Sequence, residues 1–211
     1  NTTLGVVRTV REQLKPYHDI FIVEMGAKQP GDIREICDLV HPTIGIVTAV
    51  GEMHLETFHT VENILHTKFE LLDALPEDGL GVVNLDSQPI AASDAPHDKR
   101  IVTYAVHNTA ADYRAVDINY TSKLTDFSVA TREGVRTGYA TQLAGRGNIL
   151  NLLAAIVVAD RLGVEETLQK RAMRRIEQIE HRLSINRASG GVTVIDDAYN
   201  SNPAGARMAL E

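Results

Sequence analysis

Four acidic or imidazole side chains follow a single apolar run near the start of this chain. The run, residues 44–50, is rich in β-branched side chains and shows no polar alternation, which is typical of a strand buried on both faces of a parallel sheet. Gly51 ends the run, and the polar side chains just beyond it are Glu52, His54, Glu56 and His59. Open α/β sheets bind ligands outside the carboxyl ends of their strands, so we expect chemistry here.

Two further side chains are expected at the same edge of the sheet. Glu24 ends another apolar segment, residues 19–24, which we predict to be a short buried strand. Its carboxylate suits magnesium, which takes oxygen ligands, although a capping or surface glutamate is the alternative interpretation. Lys68 lies on a predicted amphipathic helix that starts at this edge. The alternative interpretation is a solvated lysine, as most lysines on helices are. We predict that Glu24, His54 and Lys68 surround one cavity.

The remaining motifs are less specific. A zinc site at His54, Glu56 and His59 is disfavoured, because this spacing matches no usual zinc signature and cysteine ligands are missing. Residues 145–148, Gly-Arg-Gly-Asn before an apolar helix, resemble a phosphate loop only weakly. The pattern Gly-x-x-x-x-Gly-Lys-Ser/Thr is absent from the chain. Residues 196–203 lie at the carboxyl end of another predicted strand, and the alternative interpretation is a plain turn rich in Asp and Asn.

The elements that must position these residues alternate between strand and helix, which predicts an α/β fold with a mostly parallel sheet flanked by helices. The predicted strands are 19–24, 44–50, 80–84 and 101–104, and the predicted helices are 3–14, 33–40 and 61–75. Residues 113–143 alternate polar and apolar side chains, which indicates antiparallel strands appended to the sheet. Helices are predicted at 148–162 and 164–179, then a strand at 192–197 and a helix at 204–211. Because a strand-loop-helix unit restarts there, we place a domain boundary near 179–186 and expect a second α/β domain to begin.

Composition restricts the class of protein. The 211 residues are 44% hydrophobic and 23% charged, as in ordinary globular domains. A net charge of −7 gives no support for electrostatic binding to nucleic acid or to an anionic membrane. A lone cysteine, Cys37, the lack of a long apolar run and the lack of a leader predict a soluble, cytoplasmic protein. The chain starts without methionine and stops inside a predicted helix, so we expect it to be part of a longer protein.

The residues of these segments, and their order along the chain, resemble those of the Mur ligase family. The matching segments are Glu24-Met25-Gly26-Ala27 with Pro30-Gly31-Asp32-Ile33, Ile46-Val47-Thr48 through His54-Leu55-Glu56-x-Phe58, Lys68-x-Glu70, Gly145-Arg146-x-Asn148-x-x-Asn151-x-x-Ala154-Ala155, and Ile195-Asp196-Asp197-Ala198-Tyr199-Asn200-x-Asn202-Pro203. They cover nearly the whole chain, and the last is most similar to the branch that adds D-alanyl-D-alanine. The resemblance implies that residues 1–180 are the central ATP-binding domain without its phosphate loop. Residues 181–211 would be the linker and the first strand-loop-helix of the C-terminal ligase domain.

The resemblance implies an ATP-dependent amide ligase of peptidoglycan precursor synthesis, with Mg²⁺ as a cofactor. Its substrates would be UDP-N-acetylmuramoyl-tripeptide and D-alanyl-D-alanine. The catalytic and metal residues would be Glu24 and His54, as magnesium ligands, and Lys68, carbamylated to hold a second magnesium ion. Asn148 would contact adenine, and His181 and Arg182 of the linker would approach the nucleotide. Three residues of the third domain would also contact ATP: Asp197, Tyr199 and Asn200. The UDP-sugar would be approached by Asn1, Thr2 and Thr3.

The sequence departs from the family pattern in two ways. Position 147 is Gly where many relatives carry His, and the phosphate loop, the amino-terminal UDP-binding domain and most of the third domain are not in this chain. We therefore expect those domains of the same protein to be its partners, and expect the chain alone not to turn over ATP. Two alternatives stay open: another amide ligase of the superfamily, or a non-catalytic nucleotide-binding or scaffold domain.

Overall fold

A six-stranded sheet is the centre of the computed structural model, which describes residues 2–52, 55–98, 100–121, 124–187 and 189–199. The strands lie side by side in chain order: β1 (Ile44–Val47), β2 (Leu80–Asn84), β3 (Ile101–Ala105), β4 (Tyr113–Tyr120), β5 (Thr125–Thr131) and β6 (Gly134–Thr141). Strands β1 to β4 pair in parallel, and β5 and β6 are added antiparallel. This arrangement confirms the predicted α/β fold.

Helices cover both faces of the sheet. They are α1 (Thr3–Glu12), α2 (Asp32–Val40), α3 (Leu55–Phe58), α4 (Val61–Asp73), α5 (Gln88–Ala91), α6 (Arg146–Arg161) and α7 (Glu166–Met173), with a 3₁₀ turn at Ala95–His97. The apolar side of α6 packs with side chains of β2 to β6 in one core, and α4 packs with β1 and β2 in another. Helix α4 comes so close to β1 that a Cβ on Gly45 would lie 2.9 Å from Leu71 Cγ. Glycine at this position therefore permits the tight packing of α4.

Two strand predictions at this side of the sheet need correction. Residues 19–24 are not a strand, and Ile20 and Ile22 are 60% and 88% exposed. A strand requires a neighbour for its backbone hydrogen bonds, and no described strand pairs with this segment. Strand β1 is shorter than predicted and lies at an edge of the described sheet, where Ile46 is 37% exposed. It is therefore not buried on both faces.

The last described part of the chain forms a separate antiparallel pair, β7 (Ser184–Arg187) with β8 (Thr193–Asp196). The sequence analysis predicted β8 but not β7. The helix predicted at 164–179 is shorter, since α7 ends at Met173, and the helix predicted at 204–211 lies outside the described residues. In the described part of the chain, no helix is long and apolar enough to cross a membrane.

Candidate active site

The carboxyl ends of β1 and β2 are braced by side chains. Asn84 Nδ2 donates a hydrogen bond to the Thr48 carbonyl at 2.8 Å, and the Val50 amide donates to Ser87 Oγ at 3.1 Å. Asn84 and Ser87 are both buried. Because the β1–β2 ladder ends before Thr48, these two side chains replace it and fix the backbone that leads toward Glu52.

The loop that follows Glu24 is fixed by two neighbouring helices. Asp32, the first residue of α2, accepts hydrogen bonds from the amides of Lys28 and Gln29 through Oδ2, at 2.8 and 3.1 Å. The Thr57 hydroxyl, on α3, donates to the Lys28 carbonyl. This loop, residues 24–31, is therefore tied to the short helix that comes directly after position 54.

Helix α4 is tied to the same loop through Glu70. Its Oε1 accepts a hydrogen bond from the Gly31 amide and its Oε2 accepts one from the Arg34 amide, both at 2.8 Å. Hydrogen bonds thus join loop 24–31, which carries Glu24, to α4, which carries Lys68. They also join this loop to α3, the helix that follows position 54. His54 itself lies outside the described residues.

Glu24 and Lys68 differ in their environments. Glu24 is exposed, and among the described residues its carboxylate takes part in no hydrogen bond or ion pair. Lys68 is partly buried, and this desolvation lowers the pKa of its amine from the ordinary value of 10.5. In the part of the chain that the structure describes, which omits His54, no three His, Cys, Asp or Glu side chains form a group that could hold a metal ion.

The other polar side chains between β1 and α4 lie at the surface. Glu52, Glu56 and His59 are exposed. His59 adopts a left-handed backbone conformation with φ of 64°, at the turn between α3 and α4. These three residues therefore lie on the exposed path between β1 and α4.

A second cluster gathers four residues that the sequence analysis assigned to the nucleotide. The Arg182 guanidinium lies over the Tyr199 ring, 4.1 Å from its centre, and the Tyr199 amide donates to the His181 carbonyl at 3.1 Å. Asp197 Oδ1 accepts a hydrogen bond from the Leu183 amide at 3.1 Å. The linker and the segment after β8 are therefore in direct contact.

The loop before α6 approaches this cluster. Asn148 Nδ2 donates to the Ala144 carbonyl at 2.7 Å, which holds its amide group at the start of α6. Gly145 has a positive φ of 84°, and a Cβ there would collide with the Leu183 side chain. The positive φ favours glycine at this position, and the absence of a Cβ leaves room for the Leu183 side chain of the linker. Asn200 lies outside the described residues.

The segment predicted to approach the UDP-sugar forms the start of α1. The Thr2 hydroxyl caps this helix by accepting a hydrogen bond from the Gly5 amide at 3.3 Å. The Thr3 hydroxyl donates to Glu35 Oε2 on α2 at 3.0 Å. Asn1 lies outside the described residues.

Five residues that shape the site received no role from the sequence. They are Asp32, Thr57, Glu70, Asn84 and Ser87. Asn84 and Ser87 could have been suspected as polar residues at a strand end, and Asp32 as an acid at a helix start. Glu70 entered only through the matching segment Lys68-x-Glu70, and no local pattern assigns a role to it or to Thr57, because their partners are 36–39 and 29 residues away in the chain.

Residues 1–159 match the family model of the Mur ligase middle domain. This chain belongs to the Mur ligase family. Among the curated proteins that resemble this Mur ligase chain, the UDP-N-acetylmuramoyl-tripeptide–D-alanyl-D-alanine ligase of Mycobacterium tuberculosis H37Rv is 32% identical over 197 residues, covering 92% of this chain and 38% of that protein. The ligase of the same name from Escherichia coli K12 is 26% identical over 212 residues, covering 100% of this chain and 46% of that protein. The Mur ligase chain thus spans about two-fifths of the length of the curated relatives it matches.

Solved structures share this fold. MurF from Acinetobacter baumannii superposes with a TM-score of 0.87 at 24% identity, covering 99% of this Mur ligase chain and 45% of that one. MurF from Thermotoga maritima in complex with ADP superposes with a TM-score of 0.85 at 24% identity, covering 100% and 48%. Both likenesses extend over β7 and β8 as well as the six-stranded sheet.

Proposed function

We propose that this chain is the central part of a longer, cytoplasmic ATP- and magnesium-dependent amide ligase. The intact enzyme adds D-alanyl-D-alanine to UDP-N-acetylmuramoyl-tripeptide. Residues 1–180 form the central ATP-binding domain, and residues 181–211 form the linker and the start of the C-terminal ligase domain. The observation that carries the proposal is the set of hydrogen bonds joining loop 24–31, α3 and α4, because these segments bear or adjoin Glu24, His54 and Lys68.

The donor set fits magnesium on chemical grounds. The exposed Glu24 carboxylate is an oxygen ligand that no described residue engages. Lys68 as a cation would repel a metal ion, but burial lowers its pKa and so favours the neutral amine, which can add carbon dioxide. The resulting carbamate would offer two anionic oxygens. With His54, these groups would hold two magnesium ions, whose charge supports phosphoryl transfer.

The nucleotide is proposed to lie between the start of α6 and the linker cluster. Asn148 uses one N–H on the Ala144 carbonyl, which leaves a second N–H and the amide oxygen. That pair matches the adjacent donor and acceptor on adenine. Arg182, held over Tyr199, is a cation placed for the phosphates, and Asp197 and Asn200 would close on ATP from the third domain. One of the solved relatives carries ADP.

The proposed reaction has two steps. The tripeptide's terminal carboxylate attacks the γ-phosphorus of ATP, forming an acyl phosphate and releasing ADP. The amine of D-alanyl-D-alanine then attacks the acyl carbon, loses a proton, and displaces inorganic phosphate through a tetrahedral intermediate. Thr2 and Thr3, at the start of α1, together with Asn1, would help to place the UDP-sugar substrate. The chain supplies metal and nucleotide contacts, and the phosphate loop comes from the longer protein.

A second candidate is a sister ligase that acts on a different amine. The UDP-N-acetylmuramate–L-alanine ligase of Anaeromyxobacter dehalogenans 2CP-C is 28% identical over 193 residues, which cover 92% of this chain. The ligases that add D-alanyl-D-alanine reach 32% over 197 residues. We therefore prefer D-alanyl-D-alanine as the amine.

Phosphate release by the intact gene product tests this choice. With ATP, Mg²⁺ and UDP-N-acetylmuramoyl-tripeptide, we expect release to require D-alanyl-D-alanine, and mass spectrometry to find the tripeptide extended by two alanine residues. The control replaces the tripeptide by UDP-N-acetylmuramate and the dipeptide by L-alanine. If only the control pair is turned over, the sister activity is established instead. If neither pair is turned over, both candidate functions are overturned.

A further inference from the structure

The N-terminus of α2 has no capping side chain of its own. Its N-cap residue is Gly31, which has a φ of 92° and no side chain to accept from the first amides of the helix. Glu70 supplies the missing acceptors from α4, with one carboxylate oxygen on the Gly31 amide and the other on the Arg34 amide. A negative charge also interacts favourably with a helix N-terminus. Glu70 is therefore a cap delivered from a different helix.

Helix α2 is the element to which the other parts of the site are attached. Its first residue, Asp32, accepts hydrogen bonds from two amides of loop 24–31, which begins at Glu24. Its Glu35 accepts a hydrogen bond from the Thr3 hydroxyl of α1. Fixing α4 to the start of α2 thus fixes α4 relative to both of those segments. Glu70 makes hydrogen bonds from α4 to α2, and a longer, exposed ion pair also joins the two helices, between Asp73 at the end of α4 and Arg34 at 3.9 Å.

The spacing of Lys68 and Glu70 gives this attachment a consequence for Lys68. Successive residues in an α-helix are about 100° apart, so side chains two positions apart leave the helix on nearly opposite sides. The Glu70 bonds to α2 therefore act together with the core packing of α4 to fix its rotation about its axis, and that rotation determines the direction of Lys68.

We propose that Glu70 is a positioning residue that aims Lys68 at the metal site by capping α2. The inference deepens the proposed function and rests on it for the metal role of Lys68. Glutamate suits the task, because its two oxygens can each accept one of two amides separated by most of a helical turn. Glutamine keeps the length but offers a single oxygen, so it preserves one of the two bonds.

The experiment uses the intact gene product with Glu70→Ala, Glu70→Gln and a control, Glu62→Ala, that removes the same charge from an exposed site on α4. Two readouts need no turnover: Mn²⁺ affinity by electron paramagnetic resonance, and the Lys68 carbamate signal by ¹³C NMR with labelled bicarbonate. For Glu70→Ala we expect Mn²⁺ affinity to fall about tenfold, in the range found for outer-shell partners of metal ligands. The carbamate signal should fall with it. Glu70→Gln should lie between Glu70→Ala and the wild type, and Glu62→Ala should match the wild type.

Steady-state kinetics separate positioning from general damage. We expect Glu70→Ala to lower kcat and to raise the Mg²⁺ concentration for half-maximal rate, with the KM for D-alanyl-D-alanine unchanged. If Glu70→Ala does not fold, Glu70→Gln decides by the same readouts. Wild-type values for Mn²⁺ affinity and carbamate in the Glu70 variants would overturn the proposal. If the wild type binds Mn²⁺ and forms the carbamate but joins no dipeptide, the proposed reaction fails while Glu70 is still tested.

Discussion

At the scale of single residues, the surroundings of Lys68 change the chemistry of its amine. An exposed lysine is cationic at neutral pH, and a cation is not a magnesium ligand. Partial burial lowers the pKa of Lys68, so at any given pH more of its amine is neutral than for a solvated lysine. The neutral amine is the form that reacts with carbon dioxide. Burial on α4 thus favours the modification that the proposed metal site would require.

The pH dependence of carbamate formation follows from this shift. At constant dissolved CO₂, we expect ¹³C NMR of the intact protein with nucleotide and Mg²⁺ to show a carbamate that forms at lower pH than on exposed lysines. The sign follows because the amine loses its proton below the ordinary pKa of 10.5. Lys68→Ala should remove this signal, and Lys15→Ala, at an exposed site, should keep it. A signal that survives in Lys68→Ala would assign the carbamate to another lysine.

At the scale of elements, one carboxylate joins α6 to the antiparallel half of the sheet. Asp160 receives both guanidinium arms of Arg136 at 3.0 and 2.8 Å, the Tyr113 hydroxyl at 2.9 Å and Gln169 Nε2 at 2.7 Å. These partners come from β6, β4 and α7. Burial alone would raise the pKa of Asp160, but the hydrogen bonds from Arg136, Gln169 and Tyr113 outweigh it and lower the pKa. Its charged form therefore stabilises the packing of four elements.

Replacing this carboxylate should destabilise the fold in a pH-dependent way. For Asp160→Asn we expect the free energy of unfolding at pH 7 to fall by about 3 kcal/mol, the lower end for breaking a buried pair. The low value is chosen because the Arg136 and Asp160 side chains are 22% and 23% exposed. Since the folded pKa lies below the unfolded value near 3.8, the contribution is complete above that pH and is lost as pH falls through the folded pKa.

Urea unfolding at several pH values measures this difference. Asp126→Asn, at an exposed position on β5, is the matched control and should change stability little. Equal stability of Asp160→Asn and wild type at pH 7 would contradict the role assigned to the carboxylate. A difference of the same size at pH 7 and at pH 2 would show that its charge is not the cause.

At the scale of the whole molecule, local hydrophobic patterns in the sequence predicted most of the strands and the class of the sheet. Apolar runs located β2 and β3 and the order of a mostly parallel sheet, and alternation located β4 to β6. Residues 19–24 have the same kind of pattern but form no strand, because a strand also requires a neighbour. The hydrogen bonds of Thr57 and Glu70 could not be predicted for a related reason, since they join segments 29 or more residues apart. The candidate ligands could be named from the sequence, but the connections between their segments could not.

The most direct test of the ligase assignment with its metal site is chemical rescue of Lys68→Ala in the intact gene product. Removing the side chain should lower D-alanyl-D-alanine ligase activity by about 100-fold or more, as when one preorganised charge-stabilising group is lost. Acetate or formate should restore part of it by placing a carboxylate in the vacated position. Lys15→Ala, with or without acetate, should behave as the wild type. Near-normal activity of Lys68→Ala without any added carboxylate would contradict the account.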